Sequence, residues 1–306
     1  MKKWMVLMLA VGFVLTASFS AQADVILPWI VKSPTVSTIV SVINTNNPDP
    51  IHLRYFVKPG DTDYTSPCKE EDFYLLLSEN DIVVFDAANK INNGHPVYPD
   101  DRIANPKLQL GITSIDAGRG VLAIDGAAYA EAIVLELAGG AAWGYDAYDN
   151  STETKDPFGQ IIGPTEYAYL VIQPKNVFKT KLFVTPIGAD NQISGKESAT
   201  VYLSMDSAGN KVGFFDQDEN PYSTNVKITT TCTSALDIAN YANPRLPSDD
   251  EAWAYVQVRD PGAPNATTIL GAAVGKLEYA TSGTSIAGTT IPGATNNFIW
   301  LRSRSK

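Results

Sequence analysis

VSTIVSVIN (residues 36–44), TNNPDP (45–50) and IHLRYFVK (51–58) run on from one another near the start of the chain. The first segment is built almost wholly of β-branched and small hydroxyl side chains, which suit a pleated, half-buried surface. The second is turn chemistry: Asn and Asp tolerate turn conformations, while Pro48 and Pro50 fix φ and cannot donate to a strand ladder. The third alternates Ile51, Leu53, Tyr55 and Val57 with His52, Arg54, Phe56 and Lys58, a period of two with one apolar face. Together they predict a β-hairpin over Val36–Lys58 whose apolar face must be covered by a second sheet.

The pattern continues outward in both directions. Upstream, DVILPWIV (24–31) is an apolar segment in which Pro28 predicts an edge strand or an extended arm. Downstream, short apolar runs follow at residues 73–77, 82–85, 121–125, 127–137, 167–172, 177–185, 199–205, 211–215, 225–232, 253–259, 268–280 and 297–302. Residues 127–137 carry helix-favouring Ala, Glu and Leu, but poor caps and the Gly139-Gly140 turn favour a strand. Residues 87–106 read as a long surface loop and DSAGN (206–210) as a hairpin connection. Residues 234–241 read as one short helix capped by Ser234. Gly271 and Gly275 are expected to bend or bulge their strand.

Many short strands with turn signals every eight to twelve residues or so predict an all-β fold. The expected architecture is an elaborated β-sandwich, Ig-like or jelly-roll-like, with long loops and at most one or two short helices. Residues 24–306 are read as a single such domain, with two stacked sandwiches as the alternative.

Residues 1–23 have the form of a secretory leader. Lys2 and Lys3 precede an uncharged apolar run, and Ala21-Gln22-Ala23 supplies the small residues of a cleavage site. This predicts Sec-type export to the periplasm or the cell exterior, with no membrane span after cleavage. The formal charge is −10, and loss of the leader lysines makes the chain more acidic still. An acidic surface disfavours nucleic acid and anionic lipid as partners. The chain has two cysteines, Cys68 and Cys232, and two thiols in an exported protein are expected to pair. That bridge ties the first quarter of the chain to the last third, and loop entropy assigns it roughly 5 kcal/mol.

The residues offer little for catalysis. His52 lies mid-strand, where solvation or a cross-strand partner is expected, and His95 sits in NNGHP (92–96) with no motif around it. No G-x-S-x-G, H-E-x-x-H or Gly-rich phosphate loop occurs. Glu131, Glu136 and Glu166 could supply the acid pair of a glycosidase, although solvent-facing positions are the simpler expectation. DQDEN (216–220) is the best metal candidate, with Asp216, Asp218 and Asn220 as oxygen ligands for Ca²⁺. Pro221 and Lys227 stand where an EF-hand has its Gly and bidentate Glu. No other cofactor is expected. Trp143, Tyr145 and Tyr148 could form an aromatic platform for a sugar ring, with a sheet core as the competing role.

Residues 38–57, a strand followed by N-T-N chemistry and a second strand, resemble the immunoglobulin-like modules of secreted bacterial surface proteins. The resemblance implies a sandwich fold and carries no catalytic motif. The leading functional expectation is an exported, non-enzymatic surface or extracellular structural protein. Its apolar arm, Val25, Ile26, Leu27, Trp29 and Ile30, either packs in its own sandwich or joins the sheet edge of another copy as a homopolymer. The alternatives are an extracellular carbohydrate- or ligand-binding module and a secreted carbohydrate-active enzyme.

Overall fold

The computed structural model describes residues 25–45, 50–60, 65–97, 108–126, 128–136, 141–149, 161–162, 167–176, 178–187, 195–203, 214–222, 226–241, 247, 249–259, 267–276 and 295–300. The leader and the DSAGN segment lie outside the described residues. The molecule is all-β, with four antiparallel sheets packed in pairs. Helical structure among the described residues is confined to short 3-10 turns at Asn92–Gly94 and Ile238–Asn240.

The first sheet runs, in spatial order, Lys69–Leu75 (β4), Ile51–Pro59 (β3), Gly118–Asp125 (β6), Val25–Lys32 (β1) and Tyr148–Asp149 (β9). Opposite it lie Ile82–Asp86 (β5), Val36–Asn44 (β2), Ala128–Glu136 (β7) and Ala141–Asp146 (β8). The alternation read from the sequence sets the layering. Val40 and Val42 of β2 and Ile51, Leu53, Tyr55 and Val57 of β3 all point into one core. The predicted hairpin is therefore corrected. Strand β2 pairs with β5 and β7, while β3 pairs with β4 and β6 in the facing sheet. Two strands that each carry one apolar side bury both sides at once by crossing to opposite layers.

The second pair begins with a sheet in which Ile161–Ile162 (β10) and Thr295–Trp300 (β20) lie end to end along one side of Thr267–Lys276 (β19). It continues through Phe178–Ile187 (β12) to Ser234–Asp237 (β17). The facing sheet is centred on Ala252–Arg259 (β18). Tyr167–Ile172 (β11) pairs along one side of β18. Along the other side lie, end to end, Phe214–Asp216 (β14) and Ser198–Leu203 (β13). Pro221–Tyr222 (β15) and Val226–Thr231 (β16) complete this sheet. Among the described residues β13 and β14 thus share a neighbour and do not pair with each other. The helix expected at residues 234–241 is corrected to β17 followed by a 3-10 turn. Ser234 and Leu236 alternate inward, which meets the pairing of β17 with β12. The bulge predicted near Gly275 is present, between Val274 and Gly275 opposite β20.

Buried apolar residues form two clusters, one in each sheet pair, and Phe183, Ile187 and Cys232 of the later chain belong to the first. The joint between the pairs is built at a register shift in β1, between Leu27 and Ile30. There the carbonyl of Pro28 accepts hydrogen bonds from Thr185 Oγ1 at 2.9 Å and Thr233 Oγ1 at 3.3 Å. Trp29 packs against Phe183, and Tyr145 donates to the Trp29 carbonyl at 2.6 Å. Pro28 falls within that register shift, and β9 borders the strand only over Val25–Ile26, so at Pro28 the side of β1 away from β6 has no ladder partner among the described residues.

Two buried cations reach across the same joint. Lys58 Nζ donates to the Thr231 carbonyl at 2.7 Å, and Arg119 Nε donates to the Thr233 carbonyl at 3.2 Å. Beside them Cys68 and Cys232 form the predicted disulfide, with Cα atoms 5.7 Å apart and a sequence separation of 164. Gly195 is required next to it. Its φ is +72°, and a Cβ there would stand 2.9 Å from Cys68 Cβ.

The loop after β5 is also less superficial than expected. Ala87 and Ala88 are buried, and the enclosed Asp86 carboxylate accepts from Ser37 Oγ and from the backbone N–H groups of Ala88, Lys90 and Ile91. Residues 98–106 of that loop lie outside the described residues.

Candidate binding face

Strand β18 reads AWAYVQVR, with small or branched side chains alternating with large aromatic ones. Ala252, Ala254 and Val256 point into the core, so Trp253 and Tyr255 must stand on the outer face. Strand β11 repeats the arrangement. Ala168, Leu170 and Ile172 are buried, while Tyr169 and Val171 are 43% and 45% exposed. On the other side of β18, Phe214 is buried and its neighbour Phe215 faces outward.

The register then gathers these rings. Tyr169 lies opposite Tyr255, and Trp253 lies opposite both Val171 and Phe215. Phe215 stacks on Trp253 with centroids 4.3 Å apart and planes 12° from parallel. Tyr169 meets Trp253 edge-on at 5.7 Å and Tyr255 at 5.3 Å, and Trp253 meets Tyr255 at 5.2 Å. Four aromatic rings from three adjacent strands thus form one cluster on the outer face, with Tyr169 exposed and Phe215, Trp253 and Tyr255 half-buried against their neighbours. A groove of about 540 Å³ runs over it, lined by Tyr169, Val171, Gln217, Glu251, Ala252 and Trp253. An apolar floor with a few polar groups at its edge is the usual make-up of a ligand site.

The acidic turn after β14 borders this groove. Asp216, the strand's last residue, is buried, and its carboxylate organises the turn. Oδ1 accepts from Asp218 N at 3.0 Å, Asn220 N at 2.9 Å and Asn220 Nδ2 at 3.2 Å. Oδ2 accepts from Asn220 Nδ2 at 3.0 Å and the Tyr222 hydroxyl at 3.1 Å. The Asn220 side chain, with the other donors, holds the Asp216 carboxyl below its ordinary pKa. Desolvation, reinforced by Asp249, Asp218 and Asp216, raises Asp250 instead. Asp216, Asp218 and Asn220, expected as oxygen ligands, share this turn, Asp218 through its backbone N–H, and both oxygens of Asp216 are occupied by protein donors. Among the described residues no group of three or more His, Cys, Asp or Glu side chains is placed to hold a metal ion.

The other sequence candidates lie elsewhere. Trp143, Tyr145 and Tyr148 are 7%, 6% and 4% exposed and belong to the first core. This corrects the platform expected there, because β8 turns its aromatics inward and Ala142, Gly144 and Asp146 outward. The arm residues Val25, Ile26, Leu27, Trp29 and Ile30 are all buried in β1. His52 Nε2 lies 3.3 Å from Asp72 and Nδ1 lies 3.2 Å from Asp125, which also takes both hydrogen bonds of Arg54. His95 Nδ1 contacts the Leu108 carbonyl at 3.1 Å. Glu131 is exposed opposite Asp146 on the outer face of β7. The Glu136 side chain and Glu166 lie outside the described residues.

The face on β18 was missed, although its signal is in the sequence. EYAY (166–169) and EAWAY (251–255) rhyme, and each places large rings at spacing two with alanine between. The two segments prove to be paired neighbours. No family model matches the chain, and no curated protein sequence matches it significantly.

Proposed function

We propose that the chain is an exported, non-enzymatic binding protein that takes carbohydrate on the outer face of β11, β14 and β18. The observation that carries this reading is the outer-face ring cluster of Tyr169, Phe215, Trp253 and Tyr255, of which Tyr169 and Trp253 line a groove edged by Gln217 and Glu251. Leaving such rings in water is unfavourable, and contiguous exposed apolar surface marks an interaction site. Ring faces suit the C–H faces of a sugar, while amide and carboxylate groups at the rim suit its hydroxyls.

Affinity electrophoresis against a panel of soluble polysaccharides tests the reading. Wild type is retarded by at least one polymer. Trp253→Ala loses that retardation while keeping its circular dichroism and melting temperature. A wild-type protein that no polymer retards, or a Trp253→Ala variant retarded as strongly as wild type, overturns it.

A structural role at the cell surface is the second reading. It is favoured by the joint, where a disulfide, two buried cations and the Trp29–Phe183 contact link the sheet pairs. Such a body suits a spacer or subunit that must hold its shape. Electron microscopy of the secreted fraction separates the two: filaments or arrays support the structural role, and dispersed single particles contradict it.

A further inference from the structure

We infer that the groove over Trp253 takes a cationic saccharide, a glycan whose sugar rings carry free amino groups. This rests on the carbohydrate reading above and narrows it. The floor of the groove is aromatic, but one end is acidic. Glu251 lines it directly, and Gln217, also in the lining, donates from Nε2 to Asp250 Oδ1 at 3.4 Å. Asp216 and Asp218 belong to the same turn as Gln217. The register brings Lys175 to this end of the sheet too, in the turn that follows Ile172, whose partner is Ala252. Burial lowers its pKa from the ordinary lysine value.

The crowding of like charges has a chemical consequence. Asp250 is partly desolvated and faces Asp249, Asp218 and Asp216, so an incoming ammonium relieves repulsion already stored at the rim. The same ammonium beside the Tyr169 and Trp253 rings that line the groove gains a cation–π attraction that a neutral acetamide does not. An anionic sugar meets repulsion from both the rim and the chain's net charge of −10. Hydrogen bonding alone would accept neutral and charged sugars alike, so charge complementarity decides between them.

The experiment is calorimetric titration of the mature chain with a glucosamine hexamer, its fully N-acetylated counterpart, a neutral glucose hexamer and polylysine. The glucosamine hexamer is expected to bind about tenfold more tightly than the acetylated one. That advantage is expected to vanish in about 0.5 M NaCl, where the screening length is a few ångströms. Glu251→Gln is expected to remove the preference for the amine but to keep residual sugar binding. Trp253→Ala is expected to remove both, with its fold checked by circular dichroism. Equal affinity for the amine and acetylated hexamers overturns this inference and leaves the carbohydrate reading standing. So does polylysine binding as tightly as the glucosamine hexamer and indifferent to Trp253→Ala. Absence of binding by every oligomer overturns both.

Discussion

Lys58 shows how a single residue commits the chain to its shape. It ends the polar side of β3, where a solvent position is the ordinary expectation, yet it is fully enclosed and donates to the Thr231 carbonyl. Lys58→Ala removes the packed stem as well as this donor, and a buried acceptor left unpaired is costly. Urea denaturation should show a loss of about 2–4 kcal/mol, with Lys58→Met milder because it keeps the volume. Glu71 belongs to the same scale. Burial raises its carboxyl, but hydrogen bonds from Thr113 and Ser114 outweigh this and hold it below the usual value. Asp216 is lowered too. A lowered carboxylate stabilises the fold at pH above its unfolded pKa, about 4, and that contribution is lost as pH falls through the folded value. Melting temperature should therefore drop on acidification below about pH 4. Glu71→Gln should flatten part of that drop, and an unchanged acid limb contradicts the assignment.

At the scale of elements, strand positions were legible and pairings were not. Alternation in IHLRYFVK picked out Ile51, Leu53, Tyr55 and Val57 as inward, because burying one side of a pleat requires period two, but Phe56 and Lys58 on the other side are buried as well. It could not say which strand lies alongside, since that depends on partners far away in sequence. Strands β2 and β3 therefore looked like a hairpin and occupy opposite sheets. The same gap hid the binding face. AAWGYD and AWAYVQVR carry one pattern, yet β8 buries its rings in the core and β18 turns them to the outer face, where they are half-buried. The deciding circumstance is what lies across each strand: Trp143 meets Phe183 of the other sheet pair, whereas Trp253 meets only its own outer-face neighbours in the contacts described. The disulfide was readable from cysteine number and export alone, because its partner needed no topology to identify.

At the scale of the whole molecule, the joint makes the two sheet pairs act together. Contacts there are covalent, charged and apolar, and they come from β1, β3, β6 and the residues just before β4 on one side, and from β12, the end of β16 and the β16–β17 turn on the other. Reducing the disulfide should lower stability by up to roughly 5 kcal/mol, the loop-entropy value. Heating scans of oxidised and reduced protein should show this as a lower melting temperature. Small-angle scattering of the reduced protein at room temperature should be unchanged, because the Trp29–Phe183 packing and the buried hydrogen bonds remain. An expanded or two-lobed profile after reduction contradicts that view of the joint. A body held in this way presents the β11–β14–β18 surface in one fixed direction.

The most direct test is an amide chemical-shift map of the mature chain during titration with a saccharide that it retains. Perturbations should centre on residues 169–171, 215–217 and 251–255 and leave residues 141–149 unmoved. Shifts centred on β7 and β8, or spread without a focus, would contradict the assignment of this face.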